Sequence, residues 1–537
     1  MATKAHLNQV IASHLVELRA DETPDTQLYI FERGENGEDA LTYADLYEKS
    51  NKIARLLLDH GIGKGDTFGV FMRNYPEFIY SLLAGTTVGA IMVPIDPRNR
   101  GDRLKYLLNN CNAKAVITAG ESLESFEEIA DGIPSVKLVS VAYRSEHGVP
   151  VSDRFHALNE ILDSPTWERV DQQIMDVRHP MQIIYTSGTT GDPKGVTIRN
   201  NRTGLFNILN SIVWRYQKDD VLYNGLSLTH GNAQAVTLFP ALAMGIKAVF
   251  SPRFTKSRIW DICRKYGCTS FSLLGGMMAG ICNEPEKPND ADNPVRVVIS
   301  AGTPAPLWES FEKRFNVNIL EWYGSVEGGF AYKPIGKGPI GSFGKPVPGV
   351  MEFKIVDDDD NPVPAGQTGE LICRMLKGDT KVDYIGKPED SKEKTRGGWL
   401  RTGDMVHRDA EGWYYFDFRK GSELRRAGDF IQPEYVETVI GRHPDVSEVC
   451  VYGIPAASGA PGESDLVAAL SPFDDRPIDP KSIYEMCRRD LEANFIPSYL
   501  QVVDEIPKTV TEKALARVLK EAFLKGEGSI YTYADFK

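Results

Sequence analysis

The segment Tyr185-Thr-Ser-Gly-Thr-Thr-Gly-Asp-Pro-Lys-Gly-Val196 gathers glycines, hydroxyls and one lysine, entered from apolar Met181-Gln-Ile-Ile and left through Val196-Thr-Ile. Gly188, Gly191 and Gly195 let a backbone turn its amides inward, Thr186, Ser187, Thr189 and Thr190 supply donors, and Lys194 supplies a cation. Such a set suits the β- and γ-phosphates of ATP. It is not a Walker loop, because Pro193 precedes the lysine, Gly195 follows it, and Gly-Lys-Ser/Thr occurs nowhere in the chain. Read alone, the same residues also satisfy a glycine-rich hairpin.

Two other segments imitate binding motifs. Gly336-Lys-Gly-Pro-Ile-Gly341 has the spacing of a dinucleotide fingerprint, but Pro339 and the following Gly344-Lys-Pro346 oppose the helix that motif must open. The acidic run from Asp357 to Asp360 lacks the ligand spacing of a calcium loop and reads as a solvated β-turn. The seven cysteines are scattered without a Cys-x-x-Cys pair, which argues against a disulfide framework or zinc site and for a reducing cytoplasm.

The elements that must position such a loop are legible as texture. Residues 41–118 alternate helical and strand-like runs: 43–60 amphipathic, 67–72 strand-like, 76–88 helical, then the apolar run 91–95. The pattern recurs between 205 and 315, where strand-like 296–300 leads into Pro304-Ala-Pro and a helix from about Leu307. After Gly341 come short strands with turn chemistry, and beyond the polar stretch 416–428 a compact βαββαβ-like segment begins. The fold class is therefore α/β: a large N-terminal domain of layered αβ subdomains plus a β-barrel-like subdomain, followed by a small α+β domain.

A chain of 537 residues with 42% hydrophobic and 25% charged residues is of globular, multidomain type. Its net charge of −13, with basic residues interspersed among acidic ones, excludes nucleic acid as the main partner. The longest apolar tracts are interrupted and too short for an integral membrane segment, and the N-terminus carries no apolar stretch suited to a secretory signal.

Further segments recur in a fixed order: Leu226-Ser-Leu-Thr-His-Gly-Asn-Ala-Gln234, Ser300-Ala-Gly-Thr-Pro304, Tyr323-Gly-Ser-Val-Glu327, Gly341-Ser-Phe-Gly-Lys-Pro346, Gly369-Glu-Leu, Trp399-Leu-Arg-Thr-Gly-Asp404, Phe416-Asp-Phe-Arg-Lys-Gly-Ser-Glu-Leu-Arg-Arg-Ala-Gly428 and Pro507-Lys-Thr-Val-Thr-Glu-Lys513. With the phosphate loop they resemble the adenylate-forming superfamily of acyl-CoA synthetases, luciferases and peptide-synthetase adenylation domains, over nearly the whole chain. The Arg-Arg-x-Gly segment is similar to the carnitine/crotonobetaine-CoA ligase branch.

The resemblance implies an ATP-dependent acid-CoA ligase with ATP, Mg²⁺ and coenzyme A, acting on a small-to-medium carboxylic acid as a monomer or homodimer. It implies ATP contacts from Thr186 to Gly191 and Lys194, an adenine loop with Gly302, Thr303 and Pro304, and a base-stacking Tyr323 flanked by Trp322, Gly324 and Ser325. Glu327 with Thr190 would hold magnesium, Asp404 the ribose, and Arg419 the nucleotide near the hinge. Lys513 would bridge the carboxylate and the α-phosphate, His230 would be a gate to the thiol path or a structural histidine, and Arg425, Arg426, Ala427 and Gly428 would face CoA. The acid would sit among His230, Asn232, Gln234, Ala301, Gly324 and Gly329; Gly324 stands where acetate-specific relatives carry tryptophan, implying a deeper pocket.

The family rotates its C-terminal domain between half-reactions, so we expect an adenylation domain of residues 1–419, a hinge at 420–422 and a mobile domain of 423–537. Three positions depart from the pattern: Val326 replaces a threonine, Gly421 the customary hinge Asp or Lys, and Glu512 the glycine before the catalytic lysine. An adenylating enzyme that loads a carrier protein stays open as a rival, and Val326 and Glu512 leave open a catalytically silent nucleotide-binding relative.

Overall fold

The computed structural model describes residues 7–143, 155–186, 193–420, 424–426, 429–431, 433–457, 464–473, 476–491, 493–509 and 514–536. Uninterrupted apolar runs become fully buried parallel strands. Thr67–Phe71, Ile91–Ile95 and Ala115–Ala119 have every residue buried, as strands covered on both faces must. They belong to a seven-stranded sheet that ends at the antiparallel pair Pro180–Thr186 and Lys194–Arg199.

A nine-stranded sheet holds Val221–Asn224, Ser270–Leu274, Val297–Ala301 and Asn318–Tyr323 in parallel. One continuous core, with Phe68, Phe78, Tyr223, Phe239 and Phe271 among its largest buried side chains, serves both sheets. At about 1.5–3 kcal/mol for each large apolar side chain buried, this packing fixes the sheets against each other.

Helix boundaries follow local chemistry. Helix Tyr43–Asp59 starts on a capping box, in which the Thr42 hydroxyl accepts from the Asp45 amide and the Asp45 carboxylate accepts from the Thr42 amide. Helix Pro76–Val88 has proline in its first turn and ends at Gly89 with φ +77°. Helix Ala305–Phe315 begins two residues before the expected Leu307, on Pro304 as N-cap.

Where a barrel-like subdomain was expected, four antiparallel strands, Met351–Val356, Gly369–Met375, Leu400–Arg408 and Tyr414–Arg419, form a meander. The acidic run is a turn: the Asp357 carboxylate accepts from the amides of Asp359 and Asn361, and Asp360 adopts φ +66°. No helix opens at residues 336–341, which are turns. The C-terminal part has its own four-stranded sheet, Val446–Pro455, Ser464–Pro472, Tyr499–Val502 and Ser529–Thr532. Separate hydrophobic clusters, around Val436 and Leu500 and around Val467 and Ile506, complete it. The large N-terminal α/β part and the small C-terminal part are those expected.

Candidate active site

Three loops that carry expected site residues leave the carboxyl ends of parallel strands: 225–232 after Val221–Asn224, 302–304 after Val297–Ala301 and 324–330 after Asn318–Tyr323. In open α/β sheets this edge is where ligands bind. The phosphate-loop residues Ser187, Gly188, Thr189, Thr190 and Gly191 lie outside the described residues, but their frame is fixed. Thr186 and Lys194 are opposed across the hairpin, and the Thr186 hydroxyl donates to the Lys194 carbonyl at 3.4 Å.

From that frame a chain of contacts runs to the other candidates. The Lys194 ammonium is 2.7 Å from the Asp390 carboxylate and 5.3 Å from the centre of the Tyr384 ring. The hydrogen bond from Lys194 holds the Asp390 carboxyl below its ordinary range. The Tyr384 hydroxyl donates to Glu327 at 3.0 Å. Burial, then the Glu327 charge, pushes the Tyr384 phenol upward, so it stays a donor.

Asp404 is opposite Arg419 across the meander, with the guanidinium 3.5 Å from the carboxylate, and its other oxygen accepts from the Tyr323 hydroxyl. The Tyr323 ring stacks on Phe343 at 4.6 Å. Lys394 joins the groups: its ammonium donates to the Thr402 carbonyl at 3.3 Å. Burial lowers its titration against the opposing pull of Glu327, Asp404 and Glu370. Glu327 is thus joined to the phosphate-loop frame through Tyr384, and the charges of Glu327 and Asp404 both act on Lys394.

The 302–304 loop is held by a buried carboxylate. Glu321 accepts from the Gly302 amide at 2.7 Å, from the Thr303 amide at 3.3 Å and from the Thr303 hydroxyl. Burial raises its titration to about 7, against those hydrogen bonds and Lys333, its partner on the neighbouring strand.

A family model described as AMP-binding enzyme matches residues 16–376, and the AMP-binding enzyme C-terminal domain matches 435–513. The chain belongs to the AMP-binding enzyme family. Long-chain fatty acid transport protein 2 of Rattus norvegicus is 29% identical, covering 93% of this chain and 83% of that protein. A crotonobetaine/carnitine–CoA ligase of Salmonella typhimurium is 26% identical, covering 92% and 96%. The fold is that of the anthranilate CoA ligase AuaEII in complex with anthranoyl-AMP, with a TM-score of 0.83 at 23% identity over 96% of this chain and 97% of that one. A benzoate CoA ligase from Burkholderia xenovorans LB400 gives 0.79 at 22% identity over 95% and 99%.

In this AMP-binding enzyme the residues expected around an acid are partly brought together. Val326 approaches the Gly231 turn, where a Cβ added to Gly231 would meet Val326 Cγ2 at 3.3 Å, so the His230 and Glu327 loops face each other. His230 accepts at Nδ1 from the Asn232 amide at 3.2 Å, and burial lowers its titration to about 4, leaving it neutral. Gln234 is engaged elsewhere: its amide pairs with Gln182 and donates to the Leu228 carbonyl at 2.8 Å. Gly329 packs against Cys373 and Thr402 of the meander. The space beside Gly324 is taken by rings, since a Cβ there would lie 2.8 Å from Trp322 and 2.9 Å from Phe330. The missing tryptophan at 324 therefore does not by itself open depth. Ser325 closes a tight turn with Gly328, its hydroxyl donating to that carbonyl at 2.9 Å.

Arg426 spends its guanidinium on the carbonyls of Asn494 and Ile496. Lys513, Glu512, Ala427, Gly428, Gly421 and the Arg425 side chain lie outside the described residues. Among the described residues no helix is long and apolar enough to cross a membrane. Sequence reasoning missed Tyr384, Asp390, Lys394 and Glu321. A cleft of about 440 Å³ lined by Asp66, Lys114, Thr197 and Asp383 includes no expected site residue.

Proposed function

We propose that this enzyme is an ATP-dependent acid-CoA ligase for a small-to-medium carboxylic acid. The observation that carries the reading is the convergence of Lys194, Glu327 and Asp404 on one site through Tyr384 and Lys394. A nucleotide whose ribose hydroxyls met Asp404 and whose outer phosphates met Lys194 would pass its α-phosphate beside Val326 and Glu327. Glu327, a single carboxylate beside phosphate, fits magnesium, which takes one or two carboxylates and completes its shell with phosphate oxygens and water. The ion would neutralise charge on the departing pyrophosphate.

In the first step an acid oxygen forms a bond to the α-phosphorus while the bond to the β-phosphate oxygen breaks, giving acyl-AMP and pyrophosphate. Lys513, which we assign to this step, reduces repulsion between the two anions. In the second step the CoA thiolate bonds to the acyl carbon and AMP leaves with the electron pair. We assign residues 1–419 to adenylation, 420–422 to a hinge and 423–537 to a domain that moves between the steps. The names of the CoA ligases reported above support CoA as acceptor.

The test is acid-dependent exchange of labelled pyrophosphate into ATP, followed by AMP release on adding CoA. Exchange with at least one acid and CoA-dependent thioester formation are expected. Nucleotide binding with no exchange for any acid would refute the reading.

A further inference from the structure

Arg202 lies in the first turn of helix Asn201–Leu209, directly after the strand that leaves the phosphate loop. No motif singles it out. Its guanidinium donates to the Val326 carbonyl at 2.7 Å and lies 6.0 Å from the centre of the Phe330 ring, so it sits against the stretch that should wall the acid. Part of its surface is open, yet burial lowers its titration to about 10. His230 combines the same two properties. Both side chains are crowded by protein yet reachable from solvent.

A guanidinium carries five N–H donors. Among the described residues the Val326 carbonyl is the one hydrogen-bond acceptor that Arg202 meets, and no carboxylate comes within 4 Å of it. Glu327 attracts it from farther away while taking the Tyr384 hydroxyl. A guanidinium crowded by protein and so sparsely paired among the described residues favours an anionic or strongly accepting partner. The neighbouring wall adds a second polar group, the Asn232 side-chain oxygen, which is buried without a partner among the described residues.

We propose that Arg202 selects the acid: it binds an oxygen function on the tail, so the preferred substrates are carboxylic acids with a second carboxylate, hydroxyl or carbonyl. The proposal rests on reading the place where Arg202 and the Gly231 turn meet Val326 as the acid's site. A trimethylammonium tail would meet the like charge of Arg202, with neutral His230 offering no compensation. A plain alkyl tail would leave the N–H groups unpaired. Selection of this kind would separate the enzyme from a betaine ligase despite the shared architecture.

The test measures pyrophosphate exchange with matched alkanoates, hydroxyalkanoates, α,ω-dicarboxylates and trimethylammonio-alkanoates over several chain lengths. For the wild type, kcat/KM for the best oxygenated acid should exceed that for the matching alkanoate about tenfold or more, the range of a charge-assisted hydrogen bond. Arg202→Met should collapse that ratio by raising KM for the oxygenated acid, with KM for ATP held, and Arg202→Lys should restore part of it. A wild type that prefers alkanoates or betaines, or an Arg202→Met variant that lowers exchange with every acid in proportion, overturns the proposal while leaving the ligase reading intact. Absence of exchange with all acids removes both.

Discussion

Tyr384 couples the two charged groups proposed to share a triphosphate: its ring lies beside the Lys194 ammonium, and its hydroxyl donates to one oxygen of Glu327. Removing that hydroxyl leaves the ring in place and frees the carboxylate. In Tyr384→Phe we expect the magnesium concentration for half-maximal exchange to rise about three- to tenfold, the worth of a typical net hydrogen bond of about 1 kcal/mol, and a magnesium titration checks it. Glu321 gives a pH prediction. An acid whose folded titration is raised contributes stability that is complete below its unfolded value, near 4.5, and is lost as pH rises through about 7. Glu321→Gln removes that titration. From about pH 5 to about pH 8 the wild type should lose up to about 3 kcal/mol relative to the variant, seen as a gap between melting temperatures that shifts in the variant's favour. An unchanging gap would mean that Glu321 stays ionised throughout.

Elements defined by neighbours in the chain were readable, because their causes are local. The capping box at Thr42, the proline opening helix Pro76–Val88 and the apolar runs that became buried strands all act within a few residues. Glu327 and Asp404 were readable only through ordered motifs, and Tyr384 not at all. Its partner Glu327 is 57 residues away, as Asp404 is 81 residues from Tyr323, and no periodicity encodes such pairs. The expectation at Gly324 shows the same limit: a missing side chain suggested depth, while Trp322 and Phe330 supply bulk from either side. That geometry makes the 323–330 turn intolerant. Gly324→Ala should force a ring aside, costing about 1–3 kcal/mol by overpacking, and should raise KM for the acid more than KM for ATP. Melting curves and exchange kinetics read the two effects separately.

At the scale of the molecule, the proposed mechanism brings a lysine from the C-terminal part to a site built by the N-terminal part and then presents that site to a thiol. The meander ends at Lys420, whose ammonium is held 3.0 Å from Asp358 in the acidic turn and 3.5 Å from Glu370. Lys420, the one described residue of the proposed hinge, is therefore tied to the N-terminal part, which leaves the rotation to residues beyond it. Asp404, Glu327 and Lys194 all belong to the anchored side, so a nucleotide can stay bound while the C-terminal part exchanges one face for another. A lysine needed only when two anions approach each other contributes to the adenylation transition state and has no such charge to offset when a thiolate expels AMP. Lys513→Ala should accordingly lower acyl-AMP formation by about two orders of magnitude or more, the scale of losing one transition-state cation. It should leave thioester formation from a supplied acyl-AMP within a few-fold of the wild type, whereas Asp404→Asn, which loosens the nucleotide in both steps, should depress both. Single-turnover assays of each half-reaction discriminate the patterns: equal losses in Lys513→Ala would place that lysine in the permanent site and remove the need for a moving domain.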